Sequence, residues 1–136
     1  MAAEGFALEL LAATTREATV ERQVARPPRW LASAEEFLRA RICEPVRLRE
    51  LADAVGVNPA HLARVFRARY GTSVGEYGRR LRLDWAAAEI VRGDRPIVEI
   101  ATEAGFADQS HFTRLFKRYV GTTPGRYREE ATRVPR

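Results

Sequence analysis

Apolar positions recur at intervals of three and four along most of the chain, and no convincing run alternates strictly with polar residues. That pattern predicts helices without strands. Residues 105–119, GFADQSHFTRLFKRY, show it most clearly. Phe106, Phe112, Leu115, Phe116 and Tyr119 form an apolar stripe, while Gln109, Ser110, Thr113, Arg114 and Lys117 line another face that has no acid after Asp108.

Local signals place the helix ends. Asn58-Pro59 and Thr123-Pro124 each supply a cap followed by proline at the first helical position, Ser73 with Glu76 has capping-box spacing, and Asp108 caps a helix beginning at Gln109. Pro96 opens a short helix to about residue 104, Pro45 closes one from about residue 30 to 43, and Leu48 to Val55 forms another. The coarse expectation is an all-α fold: six helices in two triplets, a long helix over about 74–92 between them, and a short helix after Pro124. Residues 4–25 predict an extra amphipathic helix, with Phe6, Ala7, Leu10 and Leu11 as its apolar patch, ended by the ARPPR stretch. It either folds back on the domain, serves dimerisation, or is the tail of a regulatory domain.

The chain repeats itself. Residues 51–79 align with 100–128 once one residue is inserted after a shared glycine: Ala52, Gly56, His61, Arg64, Phe66, Gly71, Thr72, Gly75 and Tyr77 recur as Ala101, Gly105, His111, Arg114, Phe116, Gly121, Thr122, Gly125 and Tyr127. Two copies are too few for a solenoid. Each copy has a small residue for a close helix crossing, a glycine able to take positive φ at the turn, and apolar residues to pin two helices on a third. In the first copy these are Ala52, Gly56 and Leu51, Val55, Val57, Leu62, Val65; in the second, Ala101, Gly105 and Ile100, Ala104, Phe106, Phe112, Leu115. Two copies in register make a strong helix-turn-helix pattern.

Charge adds a partner class. The net charge is +5, and because residues 1–25 hold two Arg against four Glu, the remainder carries +7. A basic domain favours nucleic acid first and membrane surface second. The second helix of a helix-turn-helix enters the DNA major groove, so its outward face should lack acids. Residues 59–70 and 109–119 contain none, whereas Glu50, Asp53, Glu99 and Glu103 sit on the preceding helices. Solvated charge and the helix dipole would account for one such face; the paired faces favour a groove. A linking helix of 19 residues spans about 28 Å, close to the ~34 Å between successive major-groove segments on one side of DNA. One chain then covers an asymmetric site of two helical turns.

Other chemistry is poorly supplied. The 136 residues, 46% hydrophobic and 30% charged, suit one compact domain. A single cysteine, Cys43, excludes an internal disulfide, and two histidines are too few for a zinc site; no cofactor or metal is expected. No paired carboxylates, nucleophile-base set or phosphate loop points to an enzyme. The N-terminus lacks the basic start of a secretory signal and no run approaches a membrane span, so a reducing cytoplasm is the expected compartment. His61 and His111 are read as packing or phosphate-contact residues, Trp30 and Trp85 as packing, Cys43 as a core thiol ending an apolar helix face, and Arg79, Arg80 and Arg82 as phosphate contacts or solvated surface.

LADAVGVNPAHLARVFR, RLRLDWAAAEIV and IVEIATEAGFADQSHFTRLFKRYVGTTPGRYR, with the distance between them, resemble the DNA-binding domain of AraC/XylS transcription regulators over about residues 30–128. The resemblance implies seven helices, two three-helix helix-turn-helix units at about 48–70 and 96–120, and a linking helix at 74–92. It divides the chain into residues 1–27, similar to the last helix and linker of a regulatory domain, and a DNA-binding domain over 28–136. It implies promoter binding, usually as an activator, with RNA polymerase a candidate partner and the chain acting as a monomer on DNA or a dimer through the N-terminal helix.

Carried over position by position, the base-facing residues of the first reading helix are Pro59, Ala60, Ala63, Arg64 and Arg67, and those of the second are Gln109, Ser110, Thr113, Arg114 and Lys117. Arg bridges guanine O6 and N7, Gln pairs with adenine, and Ala or the Thr methyl meets a thymine methyl. Small Ala60 and Ala63 leave the first helix with Arg64 and DNA shape, so the second should discriminate more. The competing expectation is a helical protein-interaction module that titrates a regulator or polymerase and selects no DNA motif.

Overall fold

A computed structural model describes residues 26–133. Seven α-helices and no strand occur among the described residues: α1 (Arg29–Ala40), α2 (Leu48–Val55), α3 (Pro59–Tyr70), α4 (Val74–Arg92), α5 (Ile97–Glu103), α6 (Gln109–Val120) and α7 (Pro124–Arg133). The expected N-terminal amphipathic helix over 4–25 lies outside the described residues.

The helices divide between two compact units. The first contains the described residues up to Phe37 together with Arg47–Val74; the second contains Leu38–Val46 and the chain from Gly75 onward. In the first unit, Leu31 and Ala34 of α1, Leu51 and Ala52 of α2, and Leu62, Val65 and Phe66 of α3 are buried. Their spacing of three and four turns each helix inward, and each large side chain contributes about 1.5–3 kcal/mol by leaving water. In the second unit Leu83, Ala86 and Ile90 of α4, Ile100 and Ala101 of α5, and Phe112 and Phe116 of α6 share a core with Ala104 and Phe106 from the turn.

Three aromatic side chains stack through that second core. The Phe106 and Phe112 rings meet edge-on at 5.2 Å between centroids, and Phe112 and Phe116 are tilted at 5.5 Å. Tyr127 of α7 closes the series with its ring 5.6 Å from Phe116. Arg128 then fastens α7 by donating from Nε to the Ile90 carbonyl and from Nη2 to the Arg95 carbonyl. The first of those acceptors lies in the last turn of α4, where carbonyls lack intrahelical partners.

One boundary differs from expectation. Helix α1 stops at Ala40, not near Cys43, because Arg41 N–H turns back to the Leu38 carbonyl and Glu44 N–H to that of Arg41. Tight i to i+3 bonds of this kind end a helix as a turn. Cys43 therefore lies in the turn that joins the second unit, half-buried, and not on a helix face.

Candidate nucleic-acid interface

Both reading helices begin on a side-chain cap. Asn58 Oδ1 accepts from Ala60 N–H at 2.8 Å and His61 N–H at 3.4 Å. Asp108 Oδ1 accepts from His111 N–H at 2.7 Å. These bonds satisfy N–H groups that the first helical turn leaves open, so each cap sets where its helix starts. At the other end, Gly71 and Gly121 N–H each return to the carbonyl four residues back, at Arg67 and Lys117.

The turns before these helices rest on Gly56 and Gly105, whose φ angles are +74° and +87°. Beyond the turn, Leu62, Val65 and Phe66 hold α3 down, and Phe112 and Phe116 hold α6. Burial of that stripe fixes which side of each helix is presented outward. On α3 this side carries Ala60, Arg64 and Arg67, all exposed, with Ala63 half-buried beside them. On α6 it carries Gln109, Ser110, Arg114 and Lys117, exposed, with Thr113 half-buried. The structure thus groups the expected residues on one face of each helix, while Pro59 is a half-buried first residue of α3.

The cations of these faces are unengaged. Arg64, Arg67, Arg114 and Lys117 make no ion pair among the described residues, and neither helix contains an acid. Some cations elsewhere are paired: Arg79 and Arg80 approach the Glu76 carboxylate at 3.0 and 3.8 Å, Arg92 pairs with Glu89, and Arg95 bridges Glu89 and Glu103. A helix face of unpaired cations without an acid is suited to counter-ion release on a polyanion.

The two histidines pack. His61 lies against Trp30 with ring centroids 5.8 Å apart, and His111 meets Phe106 edge-on at 5.9 Å. Each ring thereby supports the base of its reading helix from the same repeat position. Among the described residues no three His, Cys, Asp or Glu gather to hold a metal.

Two residues have a role beyond what the pattern indicated. Arg82 is half-buried, with its guanidinium carbon 5.5 Å from the Phe106 centroid and Nε buried without a hydrogen-bond partner among the described residues. Burial, aided by nearby Arg79, lowers its basicity. Cation–π contact with Phe106 makes it a brace for the second turn. The available signal was its position four residues before Ala86 on the buried stripe of α4. Tyr119, expected in the apolar stripe of α6, is 42% exposed and donates its phenol to Asp84 Oδ1 at 2.9 Å.

Comparison with known proteins agrees with this geometry. Residues 51–130 match the helix-turn-helix domain family. The chain is 38% identical over 89 residues to the probable transcription factor PqrA of Proteus vulgaris, covering 65% of this chain and 73% of that protein. It is 36% identical over 93 residues to the regulatory protein SoxS of Salmonella typhimurium, covering 68% and 87% respectively. A solved transcriptional regulator of the AraC-type DNA-binding-domain group from Chromobacterium violaceum matches with a TM-score of 0.74 at 28% identity, over 78% of this chain and 95% of that one. With two capped reading helices in repeated units and a family match across both, the chain belongs to the AraC-type helix-turn-helix family of DNA-binding transcription regulators.

Proposed function

We propose that this chain regulates transcription, as an activator, by seating α3 and α6 in major-groove segments of an asymmetric promoter site. The observation that carries the reading is the pair of acid-free helix faces whose cations make no ion pair among the described residues. Arg64 and Arg114 are the principal base readers. Arg67, Gln109, Ser110, Thr113 and Lys117 assist them, and Ala60 and Ala63 offer apolar contact. Bidentate arginine contact with guanine and glutamine contact with adenine supply the discrimination. A single chain suffices for a site without a palindrome, RNA polymerase is the protein partner at the promoter, and the chain performs no catalysis of its own. Its place of work is the cytoplasm, where the promoter is; no helix among the described residues is long and apolar enough to cross a membrane.

Selection from random duplex DNA, followed by sequencing of the bound fraction, tests this. The expected result is one asymmetric motif about two helical turns long. A pool without a motif at physiological salt would overturn the reading and favour a protein-interaction module.

A further inference from the structure

Helix α6 is held by apolar contact at Phe112, Leu115 and Phe116, and its last turn meets the core through half-buried Val120. Phe112 and Phe116 are fully buried, while Tyr119, seven residues beyond Phe112 on the same stripe, is exposed. The apolar contact of Val120 holds that end against the core but does not by itself fix its tilt, since dispersion has no preferred direction. The phenol provides a direction: Tyr119 Oη donates to Asp84 Oδ1 at 2.9 Å, across from α6 to α4. Burial first, and the bond to Asp84 next, hold the phenol above its ordinary pKa, so the oxygen keeps its proton and remains the donor. Asp84 is thereby turned toward the phenol.

The first unit contains the same device at a different register. Tyr70 Oη donates to Glu35 Oε2 at 2.7 Å, linking the last residue of α3 to α1. In the repeat Tyr119 corresponds to Arg69, and Tyr70 to Val120, so the two bonds are not copies of one another. What recurs is the arrangement: a reading helix whose far end is tied by a phenol to a carboxylate on another helix of its unit.

We propose that Tyr119 is a specificity-determining positioning residue, which through Asp84 fixes the tilt of α6 and so the aim of Arg114 and Lys117. The inference rests on the DNA-reading role of α6. It has a spatial signature. Gln109 and Ser110 lie beside the Asp108 cap, which anchors the helix start independently. Loosening the far end should therefore blur the base preferences set by the later residues and spare the earlier ones.

The test measures binding of the full chain to its selected site and to a panel of single-base variants, for Tyr119→Phe, Asp84→Ala and Asp84→Asn. The base pairs read by each half of the helix are first located with Arg114→Ala and Gln109→Ala. Tyr119→Phe and Asp84→Ala should each reduce discrimination about three- to tenfold at the base pairs that Arg114→Ala relaxes, as expected for the loss of one solvent-exposed hydrogen bond. Discrimination at the Gln109 positions and the salt slope should stay as in the parent. Asp84→Asn retains an acceptor and should preserve discrimination. A combined Tyr119→Phe/Asp84→Ala variant should be no worse than either single change. Unchanged discrimination in Tyr119→Phe overturns the proposal. So does a uniform loss on all sequences with a shallower salt slope, which would mean that the phenol holds a phosphate directly. If the parent chain selects no motif at all, the DNA-reading role itself fails, and this inference with it.

Discussion

A side chain placed on Gly105 would meet the Cys43 carbonyl oxygen at 3.0 Å. The same glycine has a φ of +87°, a conformation that L-residues enter at a cost. Gly56, its counterpart in the first repeat, shares the positive φ but has open space around it. Gly56→Ala should therefore cost about 1–2 kcal/mol, from backbone strain alone. Gly105→Ala should cost about 1–3 kcal/mol more, since the obstacle is a backbone oxygen that cannot rotate away. Denaturant titration of both variants checks the order, and equal losses would show that the Cys43 turn yields freely.

Arg114→Ala should weaken binding to the selected site by about 1–3 kcal/mol and relax preference at one base pair. Arg114 is exposed and makes no ion pair among the described residues, so its removal leaves no buried group stranded. Thermal stability should stay near that of the parent while affinity falls. Unchanged affinity across a panel of single-base variants would remove Arg114 from the readers.

How far the sequence anticipated these features depended on how local they are. Asn58 and Asp108 announced the starts of both reading helices because a cap acts across two or three residues. The buried stripes of α3 and α6 followed from spacing, and the repeat located both turns. Long-range partners left less trace. The Tyr119–Asp84 bond joins residues 35 apart, and nothing in the pattern of α6 separates a phenol at the core edge from one inside it. The packing of Cys43 on Gly105 was equally hidden, because it requires the turn after α1 to join the second unit. Arg82 looked like a surface cation; only its register on the buried stripe argued otherwise.

Lys117→Ala should weaken binding to specific and non-specific DNA alike, if this point charge meets a phosphate. The slope of log affinity against log salt should fall by about one. Arg79, already engaged with Glu76 at 3.0 Å, should change the slope less when replaced by alanine. A parental slope in the Lys117 variant, with preference lost at one base pair, would assign it to a base edge instead.

Cys43 offers a probe of the turn that backs Gly105. Burial, with the Glu103 carboxylate adding to it, pushes the thiol above its ordinary pKa, and the Arg82 guanidinium opposes the shift only in part. The thiolate is the reactive species, so alkylation of the folded chain at neutral pH should be slower than that of the denatured chain. The sign for stability follows. The fold favours the protonated thiol, so this contribution is fully present below the unfolded pKa and is lost as pH rises through the folded one. With one cysteine in the chain, iodoacetamide labelling read by mass spectrometry reports this thiol without interference. Labelling of the folded chain should accelerate at higher pH than in the denatured chain, and Glu103→Gln should bring that pH down. Equal rates in the two states at every pH would mean that the turn opens freely, and Gly105→Ala should then prove no costlier than Gly56→Ala.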